Sequence, residues 1–463
     1  MKSHPSWRIQ MSNLFDNWKR LSPEWRFALT AFLVARVALS LWSLVVYSVF
    51  PVSLQNYDFF GEPILTVFNL KTSERYVYSR QVDGKTLTFR MIDQDHVFDD
   101  QTGSIWSIDS GKALQGEHVG RFLKPSSQTS EDIFPYLGMP PERNVLLSLW
   151  QRFDANWYLK IAARGYEGSD GSTVYFPVYP ILIGILSFVF PPMFAAMLIS
   201  NLSLIGVLVL MYRLISGLAD ESTTRRALVY FLIFPTSFFL TAAYTESLFL
   251  LFALGSLYAA SCRHWAWAVM WGTFAALTRL QGVLLVIPLA YMLWRESRGV
   301  PLKKMMMRAL LLTCIPAGTL AFLAFANLSL INTYRETLHA KFVLPWDNIR
   351  AATSLLMRGG GGIVDALNLI VTLGLLAMTY FVWRKLPLEY ALFSLLMLVA
   401  PMFRMTTTQP LVSMSRYALA VFPVFIVLGM WGGKRWVNRV VVYTSLLLQL
   451  YLSAQFILWG WVA

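Results

Sequence analysis

The chain predicts an all-α polytopic membrane fold of about 11 transmembrane helices, with a small β-rich insertion in the first outer loop. Three observations carry that expectation. The first is composition: of 463 residues, 56% are hydrophobic and only 14% are charged, where soluble domains carry roughly 25% charged residues. Mean hydropathy is accordingly +0.51. The second is the length of the apolar runs, since Phe27–Phe50, Ala366–Trp383 and Val440–Trp461 each approach the ~20 residues a spanning helix needs. The third is where the basic residues fall.

They collect in short loops between apolar runs: Arg213, Arg225 and Arg226; Arg295, Lys303, Lys304 and Arg308; Arg384 and Lys385; Lys434, Arg435 and Arg439. This is the charge bias of cytoplasmic loops, so the net charge of +13 reports topology, and no nucleic-acid partner is expected. The first apolar run follows a basic, Trp-containing segment and lacks a small-residue cleavage site, which reads as a retained helix and not a signal peptide. Cys262 and Cys314 lie in or beside apolar segments and do not suggest a disulfide framework.

Three regions follow. Residues 1–50 hold the N-terminus and first membrane helix. Residues 51–143 form an outer loop with the β-rich insertion, and residues 144–463 an interfacial helix and a multi-helix membrane domain. Alternation of the basic clusters assigns to the outer side Pro51–Tyr175, Tyr244–Glu246, Thr278–Gly282, Asn332–Gly362 and Arg404–Arg416. The stretch 176–212 stays open: Pro191-Pro192 divides it, and Val178–Phe190 is too short to span at about 1.5 Å per residue. In the insertion, Tyr76–Tyr78 and Leu87–Phe89 flank Asp83-Gly84, a hairpin-turn signal. The run VFDDQTGSIWSIDSGKALQGEHVGRFL (Val97–Leu123) is similar to part of a β-rich bacterial domain family of unknown function.

The chemistry concentrates in WQRFDANWYLKIAARGYEGSDGSTVYFPVYP, Trp150–Pro180. On one helix Trp150, Asp154 and Trp157 or Tyr158 would share a face, with Arg152 and Lys160 nearby. An acid among aromatics at an interface is partly desolvated and suited to accept a proton; Trp and Tyr there suit a groove for a sugar or an isoprenoid chain. An interfacial aromatic belt with one solvated Asp is the alternative. Arg279, Arg404 and Arg416 lie at outer ends of membrane segments, where positive charge is otherwise disfavoured; phosphate binding and snorkelling to headgroups are both open to them. Tyr244 and Glu246 sit at the outer end of an apolar hairpin with Arg279 a plausible partner, for a site or for a structural ion pair. His96, His118, His264 and His339 show no metal-ligand spacing, and Gly359–Gly362 lacks the Lys-Ser/Thr of a phosphate-cradling loop. No cofactor is therefore assigned.

Arg152-Phe153-Asp154-Ala155, Tyr158, Ile161-Ala162 and Gly165-Tyr166, followed by Tyr175-Phe176-Pro177 and Tyr179-Pro180, resemble the PIG-V family of mannosyltransferases and its bacterial relatives, which more often have Trp at position 153. Phe234–Leu240 with Tyr244-Thr245-Glu246-Ser247, then Ala276–Arg279 with Gly282, and finally Ser415-Arg416-Tyr417 with Phe422-Pro423 are similar to later family blocks. The resemblance implies a GT-C architecture in a bacterial cytoplasmic membrane with its site facing outward. It implies inverting transfer of mannose, or a similar hexose, from a polyprenyl-phosphate donor to a glycolipid or glycan acceptor, with membrane lipids as further partners. Asp154 would be the base. Arg279 and Arg416, which fall in the family-like blocks, and then Arg404, by its position alone, would bind the donor phosphate; Arg152, Tyr158, Tyr179, Tyr244 and Glu246 of those blocks, with Trp150 and Trp157 from helical spacing, would form the substrate groove. The rival expectation is a transporter or flippase of a lipid-linked sugar, which would favour internal repeats and midplane polar sites; neither is visible.

Overall fold

A computed structural model describes residues 18, 20–59, 61–167, 170–296, 300–326, 340–406 and 409–462. The first part of the loop expected from Asn332, including His339, lies outside the described residues. Helix α1 (Pro23–Val49) leads into strands β1 (Val52–Phe59), β2 (Glu62–Asn69), β3 (Arg75–Ser79), β4 (Gln81–Val82), β5 (Lys85–Thr86), β6 (Phe89–Met91), β7 (His96–Asp99), β8 (Ile105–Ser107) and β9 (Ala113–Gln115). There follow α2 (Asp154–Arg164), α3 (Val178–Leu186), α4 (Pro192–Ser216), α5 (Glu221–Leu232), α6 (Glu246–Ser261), α7 (Trp265–Ala276), α8 (Val286–Glu296), α9 (Leu302–Leu312) and α10 (Cys314–Phe325). The chain continues through β10 (Ala340–Phe342), α11 (Pro345–Met357), α12 (Ile363–Lys385), α13 (Leu388–Met402), β11 (Arg404–Thr406), α14 (Pro423–Trp431) and α15 (Arg435–Ile457). Single-turn helices are named by residue.

Among the described residues, five helical stretches are long and apolar enough to cross a membrane: α1, α4, α9 with α10, α12 and α15. Met414–Ala420 and α14 together make a sixth, bent by 87°. The chain is thus a multi-pass helical membrane protein. Helix α4 is central, with 61% of its most apolar window buried, whereas α1, at 17%, lies at the periphery. The buried residues of α1 explain this: Leu39, Ser43 and Val46 form a narrow stripe, and Trp42 anchors it by donating to the Leu450 carbonyl of α15 at 3.0 Å. Helices α6 and α7 form a close hairpin because small residues line it. Gly255 faces the Trp271 ring, and Ser256 Oγ donates to the Ala268 carbonyl at 2.7 Å. The short stretch after Pro177 folds as α3, nine residues that cover about 13 Å at 1.5 Å each. It packs between α2 and α4, and the chain reverses at Pro191 to enter α4.

The strands build two antiparallel sheets, β1-β2-β3 and β6-β7-β8-β9, with β4 and β5 as a hairpin between them. Asp83 and Gly84 both have positive φ, as a two-residue hairpin turn matching the strand twist requires. Strand β2 belongs to two cores at once. Its period of two sends Leu65 and Val67 into a small core with Phe89, Val97 and Trp106, and Ile64 and Phe68 into the core of the helical bundle. Phe68 meets Phe134 at 5.3 Å and Trp459 at 5.7 Å. The β-unit is docked through that face, at the end of the bundle where α1 and α15 finish: Ser53 Oγ donates to the Leu458 carbonyl at 2.6 Å.

Candidate active site

At this same end the chain places Asp154 as the first residue of α2. The expected continuous helix through Trp150 does not form, because Phe153 takes a φ of 48° and breaks it. A non-glycine residue there is strained by about 1–3 kcal/mol, which packing offsets: the Phe153 ring meets Phe456, Trp459 and Trp461 at 5.8, 5.2 and 5.2 Å. The break separates the motif into two layers. Trp150, 1% exposed, packs on Phe238 and Phe456. Arg152, 2% exposed, turns inward and donates to the carbonyls of Ile457, Ser148 and Gln151, stacked between Phe68 and Trp459. Asp154 faces the other way, into a cavity of about 890 Å³.

Three further turns converge on Asp154. Glu246 opens α6, so both acids stand at helix N-termini, where the peptide dipoles favour negative charge. Arg279 follows the end of α7, and Arg416 lies in the single turn Met414–Tyr417. Arg416 Nη1 donates to Asp154 Oδ2 at 2.8 Å and its Nε to Glu246 Oε1 at 2.5 Å. Arg279 Nη1 donates to the same Glu246 oxygen at 2.5 Å and to Thr245 Oγ1 at 3.4 Å. Arg416 also lies over the rings of Tyr244 and Phe239, at 4.7 and 5.1 Å, and Arg279 over Tyr417 at 5.3 Å. Leaving such a buried guanidinium without its carboxylate costs about 3–5 kcal/mol, so these four groups stand or fall together.

Of the residues expected in the site, Asp154, Tyr158, Arg279, Arg404 and Arg416 line the cavity. Glu246 sits just behind them. Tyr179 and Tyr244 are buried supports: the Tyr179 hydroxyl donates to the Ala196 carbonyl at 2.8 Å and pairs with Ser200 Oγ at 2.9 Å, and the Tyr244 hydroxyl donates to the Arg152 carbonyl at 3.1 Å. Trp157 stacks on Tyr175 at 5.4 Å with the Lys160 ammonium 5.6 Å from its ring. Lys160 itself is tied to Asp170 at 2.8 Å, and that bond raises its pKa above the ordinary lysine value. Trp150, Arg152, Trp157, Tyr179 and Tyr244 therefore frame the site from outside the cavity wall.

Other lining residues have no site role in the sequence reading, although Tyr175 and Tyr417 lie in its family-like blocks. Tyr175 donates to Asp154 Oδ1 at 3.1 Å, and Gln281, Ser413, Lys341 and Tyr417 add polar groups. Lys341 carried the same signal as Arg404, a cation in a loop assigned to the outer side. Apolar wall comes from Leu280, Val283 and Leu284, from Ala400, Pro401 and Phe403 at the end of α13, and from Trp461. The ribbon of β10 and β11 closes the lining. It pairs Phe342 with Arg404 and stacks Phe342 on Phe403 at 5.2 Å. Buried Asn348 fixes it, donating to the Met402 and Arg404 carbonyls at 3.0 and 2.8 Å while accepting from the Leu411 N–H at 2.7 Å. Among the described residues no group of His, Cys, Asp or Glu could hold a metal ion.

A cavity with cations and an acid at its wall and an apolar remainder suits an anionic amphiphile bearing a polar reacting group. Residues 139–336 match the family described as Mannosyltransferase (PIG-V). On that match the chain is PIG-V-like. The matched segment holds Asp154, Glu246 and Arg279, while Arg404 and Arg416 come from beyond it. No curated protein and no solved structure matches the chain. A PIG-V-like segment within a multi-pass helical chain supports a membrane glycosyltransferase, and implies a sugar donor and a glycan or lipid acceptor.

Proposed function

We propose that this PIG-V-like protein transfers mannose, or a similar hexose, from a polyprenyl-phosphate sugar to a lipid or glycan acceptor at the extracytoplasmic face, with inversion. Asp154 is the general base. It takes the proton of the acceptor hydroxyl as that oxygen attacks the anomeric carbon from the face opposite the phosphate. The bond from the anomeric carbon to the phosphate oxygen breaks, its electron pair leaves with the phosphate, and a phosphodiester becomes a phosphomonoester. Arg279, Arg404 and Arg416 supply donors for the charge that develops, and guanidinium geometry suits phosphate oxygens. The apolar wall takes the first isoprene units.

The observation that carries this reading is that Asp154 and three arginines from distant parts of the chain line one cavity whose remaining wall is largely apolar. The test is transfer from labelled polyprenyl-phosphate mannose in nanodiscs, with a membrane-lipid extract as acceptor pool. The wild-type protein is expected to label a lipid or glycan. Asp154→Asn is expected to lose at least about a hundredfold in kcat, the usual contribution of a general base, while still binding donor. A fully active Asp154→Asn would remove Asp154 from the chemistry.

A further inference from the structure

Glu246 is a carboxylate to which the proposed reaction gives no task. It is 4% exposed and absent from the wall of the large cavity, yet it holds Arg279 and Arg416 on one oxygen, at 2.5 Å each. Its other oxygen, Oε2, is buried without a hydrogen-bond partner among the described residues. Glu246 also borders a void of about 10 Å³ shared with Gln281 and Tyr417, which has room for about one water molecule. Nothing of a substrate fits there. What the arrangement controls is charge: Asp154 and Glu246 against Arg279 and Arg416 make a neutral quartet, and Arg416 divides its N–H groups between the two acids.

We propose that Glu246 is a positioning residue that sets the charge of this quartet, neutralising one guanidinium so that Arg416 stays shared and Asp154 stays able to accept a proton. The inference rests on the reading of Asp154 as base and of a phosphate-linked donor. When the acceptor proton moves to Asp154, the quartet goes from neutral to one positive charge. In the same step the phosphate goes from one negative charge to two. Positive charge therefore appears beside the leaving group as its negative charge grows, and not before, which stabilises the transition state more than the bound donor.

The signs of the effects on the donor separate this role from a structural one. With Glu246→Gln the quartet is positive before reaction and Asp154 is the only carboxylate left in it. We expect kcat to fall at least about tenfold with the donor KM unchanged or lower. With Arg279→Gln the quartet is negative, and the donor KM rises. The double variant Glu246→Gln/Arg279→Gln is neutral again, and its donor KM returns toward the wild-type value. All are measured in nanodiscs beside wild type and Asp154→Asn. A raised KM in Glu246→Gln, or a double variant no better than Arg279→Gln, overturns the proposal. If Glu246→Gln does not fold, the neutral double variant against Arg279→Gln decides alone. Wild-type transfer that vanishes in Asp154→Asn, without this pattern of signs, defeats only the role of Glu246. A wild-type protein that turns over no polyprenyl-phosphate sugar defeats the parent reading and this inference with it.

Discussion

Asp154 owes its orientation to its neighbours on both sides. Phe153 turns the chain at positive φ, and the Tyr175 hydroxyl, brought back by the loop after α2, donates to Asp154 Oδ1 while Arg416 holds Oδ2. In the proposed role of base, a carboxylate fixed at both oxygens would present its remaining lone pairs in one direction, the geometric part of general base catalysis. Tyr175→Phe removes one hydrogen bond of about 0.5–1.5 kcal/mol. We expect kcat to fall between about twofold and tenfold with the donor KM unchanged, read in the same transfer assay. A raised donor KM with kcat unchanged would assign Tyr175 to donor binding instead. Asp154 and its aromatic surroundings were legible in the sequence because charge is rare in apolar sequence. The bond from Tyr175 was not, since pairing across 21 positions depends on how the loop returns. The same holds for Trp150 and Arg152: spacing placed Trp150 on the face of Asp154, and one strained residue turned both into the core.

At the scale of elements, the site is made from helix ends, and small residues decide where those ends stop. The 3-10 turn Leu280–Leu285 presses on the last turn of α7 so closely that a Cβ on Gly282 would collide with the backbone of Ala275 and Ala276. This gives a physical reason for glycine three positions after Arg279. Gly282→Ala is expected to cost about 1–3 kcal/mol by overpacking and to raise the donor KM by displacing Arg279. Thermal unfolding in detergent and transfer kinetics check the two effects; an unchanged KM in a destabilised protein would separate the turn from the site. Opposite this turn, the Asn368 Oδ1 of α12 accepts from the Ser415 N–H at 2.9 Å and so holds the turn that carries Arg416. Apolar runs revealed α1, α12 and α15 in the sequence, because twenty lipid-facing residues leave a strong signal. The sequence shows α2 only as an interfacial helix without its break at Phe153, and α3 only as an apolar stretch too short to span; the ribbon of β10 and β11 leaves no signal. Their place is set by packing against neighbours that sequence spacing does not reveal.

Across the whole molecule, the β-unit and the bundle share Arg152, Phe68 and Trp459, so the unit is joined to the layer directly behind Asp154. Its own core is tied by Asp99, fully buried, which accepts from Trp106 Nε1 at 2.9 Å, from the Thr102 N–H and hydroxyl, and from the Ser104 N–H. Burial pushes the Asp99 pKa up, but these hydrogen bonds outweigh it and hold the carboxyl below the usual aspartate range. A group depressed on folding contributes stability above its unfolded pKa and loses it as pH falls through the folded value. The β-unit should therefore loosen in acid below the ordinary carboxylate range, and Asp99→Asn should be less stable by about 1–3 kcal/mol at neutral pH and lack that acid transition. Limited proteolysis of the unit across pH checks both; an acid transition persisting in Asp99→Asn would assign it to another carboxylate. The hairpin at Asp83-Gly84 was readable from turn chemistry. The docking of β2 was not, because a strand buried on both faces looks in sequence like any short apolar run.

The aromatic support of Phe153 also bears on how the protein is made. Phe456, Trp459 and Trp461 are translated some three hundred residues after the acid they hold in place, a separation fixed by their positions in the chain. A nascent chain inserting helix by helix carries Asp154 past the ribosome long before those rings exist to hold the Phe153 turn, and Arg416 follows it by 262 residues. The proposed site is thus assembled only after Trp461 has been made, and a chain released before that point enters the membrane without it.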